Sequence, residues 1–481
     1  MKHPLSIAIV VVWIGMATLL VRKQTPAPAI DVASLPPLEA PGAAGSGERD
    51  TDEWFGVYQG GHKIGHTHRV ATRSETGWTL RDESSLAIAM LGTPQPLTTR
   101  LSAETDEAFA LRTFTFTLAS PAATFTATGR SDGQRLEVAY GVDGRTDSLI
   151  VPIDEPIRLP GALRPRIAAA QPADGTRFAH TVFSPLTLRR ETSTAIVEGR
   201  ETIDGFETLR LAEEQQGMTA RVWLTPDGRA VREEGALGFV LRAEPRAKAL
   251  AGVESGAPVD LALATRIPLT GRIEHPREAG SLTFRVSGPA ADLVPDDPPR
   301  QRMHDGLLRV TREDQPAGGP PPDARYTAPS PFVESDDPAI VERARAIVGD
   351  ESDRAVRARR LLRWVRANMT QSPSLTIPSA REVLRTLRGD CNEHAVLLTA
   401  LARAAGIPAR VVAGVVYLDG DFFYHAWNEL WLDGWVSADA VFAQMPVDAT
   451  HVKLLEGGPE RHAQLARLMG RLSFATVEEG S

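Results

Sequence analysis

The sequence predicts a multidomain chain in which antiparallel β domains are followed by an α+β domain, and three observations predict it. Apolar and polar residues alternate with period two up to about residue 314. A segment that neither a helix nor a central strand accommodates follows, Gln315-Pro316-Ala317-Gly318-Gly319-Pro320-Pro321-Pro322. Apolar stripes at helical spacing begin only beyond Asp337-Pro338.

The 481 residues, 42% hydrophobic and 24% charged, suffice for two or three domains with their own cores. The net charge of −8 is dispersed, so no basic face marks a nucleic-acid partner and no acidic tail marks a basic one. Cys391 is the single cysteine, which excludes an intrachain disulfide.

Residues 5–21 form an uncharged run of 17 residues, just long enough to cross a bilayer. The small-residue candidate Ala27-Pro28-Ala29 lies beyond Arg22 and Lys23 and contains a proline, so residues 1–23 are expected to be an uncleaved signal anchor. Lys2 with the amino terminus balances Arg22 and Lys23, so charge leaves the orientation open. Residues 24–50, rich in proline, alanine and glycine, read as a tether from membrane to body.

An antiparallel β domain is expected over residues 51–250. Thr113-Phe114-Thr115-Phe116-Thr117-Leu118 sets Phe114, Phe116 and Leu118 on one face and threonines on the other. Thr124 to Thr128, Arg135 to Tyr140 and Ala220 to Leu224 alternate in the same way, and Gly60-Gly61 and Pro226-Asp227-Gly228 supply hairpin turns. A small β domain over 251–314 rests on Leu282 to Val286 and Leu307 to Val310, and a linker covers 315–334.

The α+β domain spans 335–481. Asp337 caps a first helix with Pro338 at its first position. A second helix stripes Ala355, Ala358, Leu362, Val365 and Met369, its arginines forming a solvated face. A third opens on the capping-box pattern Ser379-Ala380-Arg381-Glu382 and stops at Gly389. Cys391 then opens an apolar helix ending at the glycine cap Gly406, and strands follow that carry His425 and Asp439. A helix N-terminus favours an anion, so Cys391 is the candidate nucleophile, His425 its base and Asp439 the carboxylate that orients the imidazole. Such a set attacks acyl carbon through a thioester, and the ion pair is expected to lower the thiol pKa. Backbone N–H groups at the start of the Cys391 helix are the natural oxyanion donors.

Hairpin register tests this triad. A two-residue loop at Asp433-Gly434 pairs Leu432 with Trp435, sets His425 opposite Phe442 and puts Asp439 on the wrong face. A three-residue loop, Leu432-Asp433-Gly434 with Gly434 left-handed, pairs Trp431 with Trp435 and sets Asp439 diagonal to His425. The three-residue loop is the prediction.

Gly389-Asp390-Cys391-Asn392-Glu393-His394-Ala395, the continuation Leu401 to Arg410, His425-Ala426-Trp427-Asn428-Glu429 and Trp435-x-x-x-Asp439 together resemble the transglutaminase-like superfamily, in particular its bacterial members. The resemblance spans about residues 335–456. It implies a papain-like fold, a Cys391–His425–Asp439 triad and acyl chemistry without naming a substrate; the expected reading is action on a protein or peptide amide, by hydrolysis or transamidation. Asp439 continues as Ala440-Val441 where the family often has Pro-Thr, while the Ala449 to Lys453 tail is similar to that of bacterial relatives. No calcium-binding loop is evident, and no cofactor or metal is expected. With anchor and tether, the resemblance implies a body outside the cytoplasm, in the periplasm.

Other candidates read as structural. A zinc site of Cys391, His394 and His425 lacks a fourth ligand at familiar spacing. Trp427, Trp431 and Trp435 read as core or cleft wall, and His66 and His68 as surface residues. The competing reading of the whole chain is an envelope-binding or scaffold protein whose β domain works while the C-terminal module is idle.

Overall fold

The alternation across residues 51–250 folds into one long ladder. The computed structural model describes residues 29–32, 35, 51–252, 258–313, 318–373, 377–458, 461 and 463–477. The largest sheet among them has 16 strands and is built from two antiparallel meanders. One runs through Thr51–Gln59, His62–Ser74, Gly77–Met90, Thr93–Thr105, Leu111–Ala119, Thr124–Ser131, Arg135–Val142 and Asp147–Pro152. The other runs from Arg177–Ser184 through Arg189–Ile203, Phe206–Gln215, Met218–Leu224 and Ala230–Glu234 to Phe239–Ala243. They join where Leu241 pairs with Val57. Gly60 and Gly61, at φ 56° and 85°, form the two-residue turn between Gln59 and His62, which demands positive φ at both positions.

Phe55, Phe114, Phe125, Phe178 and Phe183 share one core with Ile167 and Ala168 of the short helix Arg164–Ala169. Full burial of each large side chain contributes about 1.5–3 kcal/mol. Within the stretch read as a tether, Ile30–Asp31 pairs in parallel with Phe178 and Ala179, and Val32 and Leu35 are buried in that core. The expected anchor at residues 5–21 lies outside the described residues. Among the described residues no helix is long and apolar enough to cross a membrane.

A five-stranded sheet follows, in the order Leu269–Thr270, Ser473–Thr476, Ser281–Ser287, Leu307–Thr311, Gln301–His304. The strand Ser473–Thr476 thus returns from the far end of the chain into the small β region. Phe474 explains the return, packing 5.8 Å from Phe284 and 5.1 Å from Phe422 between ring centroids.

In the C-terminal part, helices Pro338–Val348, Arg354–Asn368, Ala380–Thr386 and Cys391–Ala404 accompany a sheet ordered Trp435–Ala438, Asp421–Trp431, Ala409–Leu418, Val452–Glu456. Leu361, Leu362 and Val365 pack with Leu397, Leu398 and Leu401 in one core. Asp337 caps the first helix, its carboxylate accepting the Ala339 N–H at 2.9 Å, with Pro338 next. The third helix departs from expectation. Ser379 makes no cap bond; its hydroxyl donates to Glu334 Oε1 at 2.6 Å. The helix ends before Gly389, on Leu387 in left-handed conformation, and Arg388–Gly389 pairs with Thr370–Gln371.

Candidate active site

The capping box expected at Ser379 forms instead at Asp390. The Asp390 carboxylate accepts the Asn392 N–H, Glu393 accepts the Asp390 N–H, each at 2.8 Å, and the box closes on the N3 backbone. Gly389, at φ 151°, admits no side chain, because a Cβ there would lie 2.3 Å from the Glu393 Cβ. Gly389-Asp390-Cys391-x-Glu393 is thus a mechanical unit: close approach, cap, first helical residue, cap partner. It fixes the half-buried Cys391 as the first residue of its helix.

His425 lies on the strand Asp421–Trp431 opposite Gly414, where a Cβ would come 2.1 Å from the Val452 carbonyl oxygen. That glycine lets the Val452–Glu456 strand close on Ala409–Leu418, the strand that lies between it and the histidine strand. In the following hairpin Trp431 pairs with Trp435 and Asn428 with Ala438, the register of the three-residue loop. The left-handed residue is Asp433 at φ 65°, not Gly434; aspartate is among the few side chains that tolerate this region.

Asp439 leaves the ladder one residue past Ala438 and turns into the protein, 1% exposed. Its backbone exchanges hydrogen bonds with Gln444, and Oδ1 accepts the N–H groups of Val441 at 2.6 Å and Phe442 at 3.2 Å. Oδ2 lies 2.6 Å from His425 Nε2 and 3.1 Å from His451 Nε2. Burial alone raises the Asp439 carboxyl, but the charge and hydrogen bond of His425, then those of His451, outweigh it and hold it well below the usual carboxylate range. With Nε2 facing Asp439, Nδ1 is the His425 nitrogen that remains for a second partner.

The thiol departs from expectation. Burial pushes Cys391 well above its ordinary pKa, and the negative charge of Asp390 pushes the same way. The Ala426 backbone N–H, next to His425, lowers it, while Glu393 and Asp439 raise it further. A helix N-terminus ringed by three carboxylates does not by itself hold a thiolate; the sulfur needs a base beside it.

Sequence reasoning missed His451 and Asp448. His451 is fully buried, with Nδ1 3.2 Å from Asp448 Oδ1. The available signal was Asp448-Ala449-Thr450, which reads as an Asx turn and indeed forms one, the Thr450 N–H donating to Asp448 Oδ1 at 2.9 Å. His394 Nδ1 is 2.6 Å from the Asp390 carbonyl oxygen. The three metal-capable groups converging within 4.8 Å among the described residues are His425, Asp439 and His451, not the set with Cys391 and His394, and hydrogen bonds account for their closeness. Trp427 is buried 5.3 Å from His451, Trp435 carries Arg410 at 4.0 Å over its ring, and His68 stacks on Trp54 at 4.0 Å.

Residues 341–440 match the model of the transglutaminase-like superfamily. This region is a transglutaminase-like domain. The match contains Cys391, His425 and Asp439 and stops short of His451. No curated protein matches the chain. Among solved structures, a candidate cysteine protease of Cytophaga hutchinsonii is 17% identical, with 44% of this chain and 82% of that one covered and a TM-score of 0.28. A β-barrel-like protein of unknown function from Brucella abortus is 10% identical, with 40% and 94% covered and a TM-score of 0.33. A candidate protease of Parabacteroides distasonis is 11% identical, with 76% and 70% covered and a TM-score of 0.19. Superpositions this loose leave the transglutaminase-like domain and its geometry as the basis for function.

Proposed function

We propose that the protein is a cysteine acyl-transfer enzyme working through a thioester on Cys391. The observation that carries this reading is the 2.6 Å His425–Asp439 pair, with the His425 strand tied to the Cys391 helix through Asn428, whose side chain donates to the Ala395 carbonyl at 2.8 Å. His425 Nδ1 takes the thiol proton as sulfur attacks the acyl carbon, and Asp439 holds the ring and stabilises the imidazolium that forms. The oxyanion meets backbone N–H groups at the start of the Cys391 helix. The leaving amine takes the proton from His425; water then releases the acid, or a second amine accepts the acyl group. The substrate in this reading is a protein or peptide amide. The apolar run at residues 5–21 holds the enzyme on the membrane, its body in the periplasm, and the β regions recognise substrate or an envelope partner.

The raised thiol favours a second reading, an envelope-binding or scaffold protein with an idle module. Iodoacetamide labelling separates the two, since Cys391 is the only thiol to label. The enzyme labels fast at neutral pH, and His425→Ala slows it by about a hundredfold, the scale of a lost general base. Labelling at the rate of an ordinary buried thiol, unchanged in His425→Ala, would sink the enzymatic reading. Amine incorporation into a protein acyl donor, absent in Cys391→Ala, then distinguishes transamidation from hydrolysis.

A further inference from the structure

The carboxylate of the triad is not held by the transglutaminase-like domain alone. Beyond His451 stands Asp448, fully buried, and beyond Asp448 stands Arg277, which comes from the small β region more than 100 residues before the triad. Arg277 Nη1 donates to Asp448 Oδ2 at 3.0 Å and to Thr450 Oγ1 at 3.4 Å, and Nη2 donates to the Tyr417 carbonyl oxygen. Its guanidinium lies 4.3 Å over the ring of Phe442, and that ring lies 5.4 Å from the His425 ring. Gln444, whose backbone pairs with Asp439, donates its side chain to the Arg277 carbonyl at 3.1 Å. A second arginine of the same region, the buried Arg300, donates to the carbonyls of Asp448 at 2.7 Å and His451 at 3.2 Å. The Ala449 N–H donates to the Ala279 carbonyl at 2.9 Å.

Two routes therefore run from Arg277 to His425, one through Asp448, His451 and Asp439, the other through the Phe442 ring. Asp439 Oδ1 is held by the Val441 and Phe442 N–H groups, and Oδ2 has His451 as its partner besides the base itself, so losing His451 removes the second bond that sets the angle of the carboxylate toward His425. We propose that Arg277 and His451 are positioning residues for the triad, and that the small β region completes the active site by fixing the Asp439 carboxylate. This rests on the triad reading above and deepens it. It also gives the small sheet a role other than substrate recognition: cutting the chain at the linker would remove the arginine support behind Asp448 and His451.

The test uses the full chain and two measurements. The first is the pH profile of iodoacetamide labelling of Cys391 in wild type, His451→Gln, Arg277→Gln and Arg277→Lys, with melting temperature followed in parallel. With positioning, both Gln variants label about ten- to a hundredfold more slowly at neutral pH, the scale set by a misplaced catalytic group, and their profiles approach that of a simple thiol. Arg277→Lys regains part of the rate, keeping the charge without the planar fork. Unchanged profiles in both Gln variants beside a fast wild type overturn the proposal. The second measurement is the NMR signal of the ring proton between His425 and Asp439, which does not depend on turnover. Its loss in folded His451→Gln or Arg277→Gln supports positioning, and its persistence in both overturns it. A slow wild type would defeat the enzymatic reading alone, and the ring-proton signal would still decide this one.

Discussion

A cluster of buried charge in the large sheet and another at the candidate active site are built from different groups. In the large sheet, Arg164 reaches Glu213 at 2.6 Å and Glu233 at 3.0 Å, while Arg69 reaches Asp82 at 2.7 Å and also binds Glu233. Burial opposes the charge on Glu233, yet Arg164 and then Arg69 hold its carboxyl down at about 2. Guanidinium and carboxylate do not change charge near neutral pH, so this cluster is a fixed staple across the junction of the two meanders. The cluster at the active site interleaves carboxylates with imidazoles and a thiol, the side-chain types that pass protons in acyl transfer. Desolvation is common to both, and the titratable members distinguish a site from a staple.

The largest expected effect breaks the staple. Arg164→Ala leaves Glu213 without its closest cation and Glu233 with half its support, and should destabilise the protein by about 3 kcal/mol in urea unfolding, the usual scale for stranding a buried charge. Cys391 labelling at neutral pH should be unaffected, since no member of this cluster touches the site. A change in labelling at full folding would show that the large sheet is coupled to the chemistry and that the two clusters are not independent.

An effect confined to acid pH belongs to His180, the exception within the large sheet. It lies on Arg177–Ser184 opposite Ser193, buried, and neither ring nitrogen has a hydrogen-bond partner among the described residues. Burial, with Arg158 adding, lowers its pKa to about 4, against Glu213 and Glu155. The sign follows from proton binding: between about 4 and 6.5 the unfolded chain binds this proton and the folded one does not, so stability is complete above that window and falls as pH drops through it. The loss is on the order of 3 kcal/mol by pH 4. His180→Phe should remove this slope while leaving the deeper acid loss, where Asp439 and Asp448 protonate below the usual carboxylate range. An unchanged slope in His180→Phe would assign the acid loss to other groups.

The sequence made the strands legible because period-two alternation is a local signal, and the hairpin at Trp431–Trp435 legible because a register slip would have moved Asp439 to the wrong face. The candidates Cys391, His425 and Asp439 stood out because their motifs are short and ordered. Long-range partners were not. Nothing local in Arg277 announces a bond to Asp448, some 170 residues on, and nothing in Ser473–Thr476 announces a place in the small sheet. The raised thiol was hidden for a related reason. The helix N-terminus was visible in the motif, but the desolvation of Cys391 depends on what packs over it.

The finest distinction between staple and site lies at Asp390, which serves in both capacities. As N-cap it accepts the Asn392 N–H and completes the capping box, a structural contribution of about 1 kcal/mol. As a charge beside Cys391 it opposes the thiolate, second only to burial. Asp390→Ser keeps a cap oxygen and removes the charge, whereas Asp390→Ala removes both. If the charge acts on the sulfur, both variants shift the pH profile of labelling toward lower pH and raise the rate on its acid side by about threefold. Only Asp390→Ala should lose the capping stability. Equal stabilities with no shift in either profile would mean that Asp390 touches neither helix nor thiol energetically. A stability loss in Asp390→Ala with unmoved profiles would make it a pure cap, and the thiol would then owe its raised pKa to burial and the remaining carboxylates, Glu393 and Asp439.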